Sequence, residues 1–304
     1  MEDLKEKYIN PLTNFGFKKI FGSEAGKALL LDFLNALLND SGIVVKNLVH
    51  TPIPDSSTPE IGADDIIRVI CTDKNDKKLY AELLVPSQNF FADRAIFHAM
   101  NTINSQAKSH EWHYEIDPVI SISLLNFVHD SSTAHHDDYI QISQLTDTDT
   151  NKVFFDKLTF IGIELPKFKK TADELATRLD KWLYLLNDIH KLSHLPVKFM
   201  DDDIFQLLFE MAEVKKLEFH KAIEYKDSLA HHHNWHDDSE TSREIRLEKE
   251  LAEGIALCRD QGVEINSKAV AKTALKMGLD MDTVARITGL SIEELEELKK
   301  TVKK

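Results

Sequence analysis

The stretch that most constrains this chain is a change of hydrophobic period between residues 66 and 108. Ile66–Thr72 is rich in β-branched residues, Asp73–Lys78 is polar with Asn75-Asp76 at its centre, and Leu79–Val85 is apolar again. Two such runs joined by a short polar turn predict a β-hairpin. After Pro86 the spacing switches, with Phe90, Phe91, Ile96, Phe97, Met100 and Ile103 recurring at helical intervals. A helix from Asn89 to about Lys108, packed beside the hairpin, is therefore expected. Val119–Phe127 and Lys157–Glu164 are further β-rich runs, so the region reads as a mixed α/β layer.

Helices are expected on both sides of this layer. Phe15, Phe17, Ile20 and Phe21, then the Leu-rich run Ala28–Leu38, predict two short helices split at Gly22. Thr51–Gly62 carries Pro52, Pro54 and Pro59 and reads as a loop. From Thr171 the apolar spacing is helical, with Leu175, Leu179, Trp182, Leu183 and Leu186 on one broad face and a second helix running from Asp203 past Phe209. Ser228–Ser242 is rich in His, Asp and Ser, the composition of a linker. The expected organisation is an α/β core over 1–170, a helical extension packed on it over 171–227, a linker over 228–242, and a charged helix with a small helical module over 243–304. The C-terminal region is thus all-α.

Charge narrows the function. Lys and Arg total 37 against 51 Asp and Glu, a net charge of −14, which argues against a uniformly basic nucleic-acid coat but permits a local basic groove. Two cysteines, Cys71 and Cys258, cannot build a disulfide framework or a cysteine-only zinc site, and they suit a reducing compartment. The charged start and the lack of an apolar run of about 18 residues predict no membrane span and a cytoplasmic protein. A Gly-x-Ser-x-Gly elbow, a Walker loop and a His-Glu-x-x-His helix are all missing from the sequence.

Several short segments carry a family resemblance. They are Asn10-Pro-Leu-Thr-Asn-Phe-Gly-Phe-Lys-Lys-Ile-Phe-Gly22, the stretch Glu82–Gln106 with Gln88-Asn-Phe-Phe-Ala-Asp-Arg94 inside it, Phe155–Phe160, Leu165–Phe168 and Asp180–Tyr184. In this order they resemble the recombination-promoting nuclease and transposase family, a bacterial branch of the PD-(D/E)XK nucleases. The resemblance implies a restriction-endonuclease-like mixed sheet core flanked by helices. It also implies a hairpin that presents acidic groups to Mg²⁺, which activates water against a DNA phosphodiester. Family members carry Asp on the first hairpin strand and Glu-x-Gln on the second, where residues two apart share a face.

Carried over residue by residue, the match departs from that pattern. Arg68 falls where the metal-binding Asp belongs and Glu82-Leu83-Leu84 where Glu-x-Gln belongs, so Glu82 survives while Arg68 and Leu84 are degenerate. Asp64 and Asp65 are the alternative ligands, but Asp64 lies about 13 Å along the strand from Arg68 and Asp65 faces the opposite side. A guanidinium about 4 Å from a dication costs up to about 8 kcal/mol at an effective dielectric near 20. Millimolar Mg²⁺ binding supplies only about 4 kcal/mol. The expectation is a copy that keeps the fold and has lost hydrolysis, with Glu82 a strand-edge carboxylate paired with Arg68. Glu82 would ligate Mg²⁺ only in an active copy. The resemblance also puts Gln88, Arg94 and Gln106 beside the site as possible DNA contacts. Against that, Asp93 could support the first helical turn while Arg94 closes a structural ion pair.

Two other features invite assignment. His135-His136-Asp137-Asp138, His231–His233 and His236-Asp237-Asp238 read as solvated loop residues rather than a built metal site. Toward the C-terminus, Gly278 reads as a helix stop, Gly289 as a turn, and Ser291 with Glu294 as a capping box. Met281–Leu295 looks like the last two helices of a helix-turn-helix, but Glu293, Glu294, Glu296 and Glu297 disfavour phosphate approach. A helical interaction module, with a homodimer through these C-terminal helices, is expected instead. Three functions stay in play: a degenerate nuclease that still engages DNA or a partner, an active Mg²⁺-dependent endonuclease using Glu82 with Asp64 or Asp65, and an interaction module without nucleic-acid binding.

Overall fold

The computed structural model describes residues 6–51, 66–85, 90–107, 115–129, 139–232, 271, 275 and 281–296. The predicted hairpin is present as β2 (Ile66–Asp73) and β3 (Lys78–Leu84), paired antiparallel with Arg68 opposite Glu82 and Ile66 opposite Leu84. The Asp73 carboxylate accepts the backbone N–H of Asn75 and Lys77, and Asp76 takes the left-handed conformation that closes the turn. Four more strands complete one six-stranded sheet: β1 (Val45–His50), β4 (Val119–Leu125), β5 (Ile140–Thr146) and β6 (Val153–Glu164), in the order β1-β2-β3-β4-β6-β5. The β3-β4 and β4-β6 pairs are parallel and the others antiparallel. A parallel step from β3 to β4 needs a crossover, and helix α3 (Phe91–Ser105) lies within it.

Strand alternation divides the sheet into two unlike faces. Val69 and Cys71 of β2, Leu83 of β3 and Ile122 of β4 point into the main core. That core is closed by α1 (Asn14–Phe21), α2 (Lys27–Leu37), α4 (Arg178–Asp188) and α5 (Asp203–Ala212), whose Phe21, Phe33, Trp182 and Phe205 rings meet. The predicted split near Gly22 is observed between α1 and α2. The first segment of the family resemblance is held by close packing: a Cβ on Gly16 would lie 2.0 Å from the Asn10 carbonyl oxygen, and Thr13 Oγ1 donates to that same carbonyl.

The structure changes several expectations. β1 and β5 were not legible as strands, and β6 begins four residues before Lys157. Helix α6, residues 219–232, runs into the segment read as a linker; there the Ser228 hydroxyl accepts the Phe15 N–H, and Tyr225 accepts the Asn10 N–H. On α3 the inward face is Ala95, His98, Ala99 and Thr102, while Phe90, Ile96, Phe97 and Met100 are exposed. The sheet beneath α3 carries Arg68, Glu82 and Ser121, so the helix covers it with small side chains that allow close approach and polar ones that supply partners.

The chain divides into two compact units, Met1–Ala230 and His231–Lys304. In the second, Ala271, Val284 and Leu295 are buried together, with Leu275, Met281 and Leu290 packed around them. Gly289 has φ 74° after α7 (Met281–Thr288), and the Ser291–Glu294 capping box forms as expected. The charged helix expected over Ser242–Arg259 lies outside the described residues. Among the described residues, no helix is long and apolar enough to cross a membrane.

Candidate functional site

Register alone brings the hairpin residues together. Arg68 and Glu82 are direct cross-strand neighbours, and the parallel β3-β4 pairing sets Ser121 on the far side of Glu82. Arg68 Nε donates to Glu82 Oε1 at 3.0 Å, and Thr102 Oγ1 from α3 donates to the same oxygen. Arg68 Nη2 lies 3.1 Å from His98 Nδ1. A guanidinium only donates, so Nδ1 must accept and the imidazole proton resides on Nε2. Glu82 is 0 % exposed on a central strand, which corrects the expectation of a strand-edge carboxylate. Its pairing with Arg68 is as expected.

Burial, then the charges of Arg68 and Arg94, push the His98 pKa down to about 4, so the ring is neutral near pH 7. His98 and Thr102 were missed from sequence. Their signal was an i, i+4 polar pair on a face otherwise made of Ala95 and Ala99, which means little until the buried ion pair beneath it is known.

The remaining candidates separate clearly. Leu84 is buried on the same side as Glu82 and offers no polar atom. Arg94 is half-buried one turn before His98 and acts on it through charge, while Asp93 sits exposed in the first turn of α3. Gln106 grips the chain leading into β4: its Oε1 accepts the Asp117 N–H at 2.8 Å and its Nε2 donates to the Asp117 carbonyl. Asp64, Asp65 and Gln88 lie outside the described residues, as do His135, His136, His233 and His236. Cys71 points into the core, and burial pushes its thiol up to about 12, so it is no nucleophile.

A cleft of ≈ 170 Å³ opens beside this network, lined among others by Thr51, Arg68, Tyr80, Asn101, Thr102 and Ser105. Its lining mixes hydroxyls, the Asn101 amide, the Arg68 guanidinium and the Glu82 carboxylate with the apolar Val69, Ile70 and Ala81. Among the described residues, no group of three or more His, Cys, Asp or Glu side chains could hold a metal ion. A divalent cation needs several hard oxygen ligands, and here the hairpin's carboxylate oxygen is already bridged by Arg68 and Thr102. The described residues do not fit Mg²⁺.

The model of the PD-(D/E)XK nuclease family transposases matches residues 11–241. The chain belongs to that family. The C-terminal helix-turn-helix domain of the Rpn/YhgA-like nuclease family matches residues 266–300, which covers α7 and the capping box. Comparison with curated proteins and with solved structures gave no significant match. The family's mixed sheet with flanking helices is the fold observed, so the resemblance carried by Asn10–Gly22 and Glu82–Gln106 is borne out at the level of fold and family.

Proposed function

We propose that this member of the nuclease family retains the scaffold without metal-dependent hydrolysis at Glu82, and acts by engaging DNA or a protein partner. One observation carries the reading: Arg68 donates to the carboxylate that the family resemblance assigns to the metal. A salt-bridged carboxylate covered by α3 is a poor ligand and a poor base. The degenerate positions are Arg68 and Leu84, and the family's Mg²⁺ has no place in this role. Engagement then rests on the sheet cleft and the C-terminal helix-turn-helix domain, in a cytoplasmic setting.

The test is incubation of the full chain with supercoiled plasmid and Mg²⁺ or Mn²⁺, alongside gel shifts across a salt series. Intact plasmid with a salt-dependent shift is expected, since phosphate contacts release counterions. Cleavage that disappears in Glu82→Ala would overturn the proposal and point to Asp64 or Asp65 as the missing ligand. A protein that neither cuts nor shifts DNA would be an interaction module alone.

A further inference from the structure

The two edges of the sheet are treated differently. At β1 the edge is blocked: Asn35 of α2 donates through Nδ2 to the Val45 carbonyl at 3.0 Å and accepts the Val45 N–H at 2.8 Å. A register shift follows between Val45 and Asn47, and Lys46 adds an exposed charge. These are the devices by which natural sheets prevent edge pairing.

Among the described residues β5 has no such guard. Its sequence, Ile-Gln-Ile-Ser-Gln-Leu-Thr, contains no charge and no proline. Among the described residues its backbone pairs with β6 alone. Ile142 is 67 % exposed, Leu145 is also exposed, and Phe154 on the neighbouring end of β6 is 79 % exposed. An uncharged edge with exposed apolar side chains is a template for another strand.

We infer that β5 pairs antiparallel with β5 of a second copy of this chain, about a two-fold axis at Ile142, joining two sheets into one. Three features select a second copy. The run Ile140–Gln144 pairs with β6 without irregularity, and the shifts begin only after Gln144, so the regular segment is centred on Ile142. A two-fold there sets Ile142 against itself, Gln141 against Ser143 and Ile140 against Gln144, each pair neutral and compatible, as an isologous contact demands. Chains of net charge −14 repel one another, so self-association needs a contact strip free of charge, and β5 supplies one.

The experiment uses the full chain. Sedimentation across a concentration series should give a species of twice the 34.7 kDa chain mass. Ile142→Lys, which sets two ammonium groups face to face, should return it to monomer with an unchanged circular dichroism spectrum. Because the lysine variant could fail to fold, Ile142→Cys provides an independent reading: under mild oxidation it should form a covalent dimer, since the two introduced thiols meet at the axis. A wild type that stays monomeric overturns the proposal, because the edge then serves another partner or none. A dimer that survives Ile142→Lys overturns it too and moves self-association elsewhere, the C-terminal helices included. Absence of the covalent dimer in Ile142→Cys is equally contrary.

Discussion

Arg68 and Glu82 stand directly opposite one another across the β2-β3 pair, and a single helix, α3, closes over both. The guanidinium therefore acts as a structural partner of the carboxylate rather than a surface charge. Removing one member leaves the other buried without its counter-charge. Arg68→Ala should cost about 3–5 kcal/mol of folding stability in urea denaturation, whereas Arg68→Met combined with Glu82→Gln should recover most of that loss. Equal and additive losses would mean that the pair is uncoupled.

His98 gives the network a pH dependence. Its pKa in the folded chain, about 4, lies below the ordinary 6.5. Between these values the unfolded chain binds more protons, so stability rises with pH across that window and is lost as pH falls from about 6.5 toward 4. The loss should be on the order of 3 kcal/mol. His98→Asn keeps an acceptor for Arg68 but cannot charge, and it should flatten stability against pH over that range. Denaturant midpoints measured at half-unit steps of pH would show it.

Gln106 separates a structural from a DNA-contacting role. Its amide is committed to both backbone groups of Asp117. Gln106→Ala should cost about 1–3 kcal/mol by leaving those groups unpaired, with DNA affinity unchanged in gel shifts. A weakened shift at undiminished stability would instead restore it as a nucleic-acid contact.

Introducing the residues that the family resemblance implies at positions 68 and 84 probes the scaffold itself. Arg68→Asp with Leu84→Gln should create Mg²⁺-dependent plasmid nicking that the wild type lacks and that Glu82→Ala abolishes. A folded but inert double variant would mean that more of the site has been lost than these two positions.

What the sequence revealed follows from where the information lies. The hairpin was legible because two apolar strands and a polar turn encode it locally, and the Ser291–Glu294 capping box was legible for the same reason. β5 was not, because Ile-Gln-Ile-Ser-Gln-Leu-Thr has little apolar weight and owes its state to pairing with β6. Helix α3 shows a subtler limit. Phe97 and His98 are adjacent, yet Phe97 is exposed and His98 is 1 % exposed. Periodicity announced the helix but not which side faces inward. The buried pair on the sheet decides that, and it is visible only after β2 and β3 are in register. In the candidate site, the Arg68–Glu82 pairing was readable from register, while His98 and Thr102 depend on the crossover that brings α3 above them.

Arg68, rather than a metal ion, is the counter-charge that the structure sets against Glu82. Calorimetric titration of the full chain with Mn²⁺ addresses this without relying on DNA cleavage. Wild type and Glu82→Ala should give superimposable heats, with no saturable site that depends on the carboxylate. A saturable site in the wild type that vanishes in Glu82→Ala would contradict it.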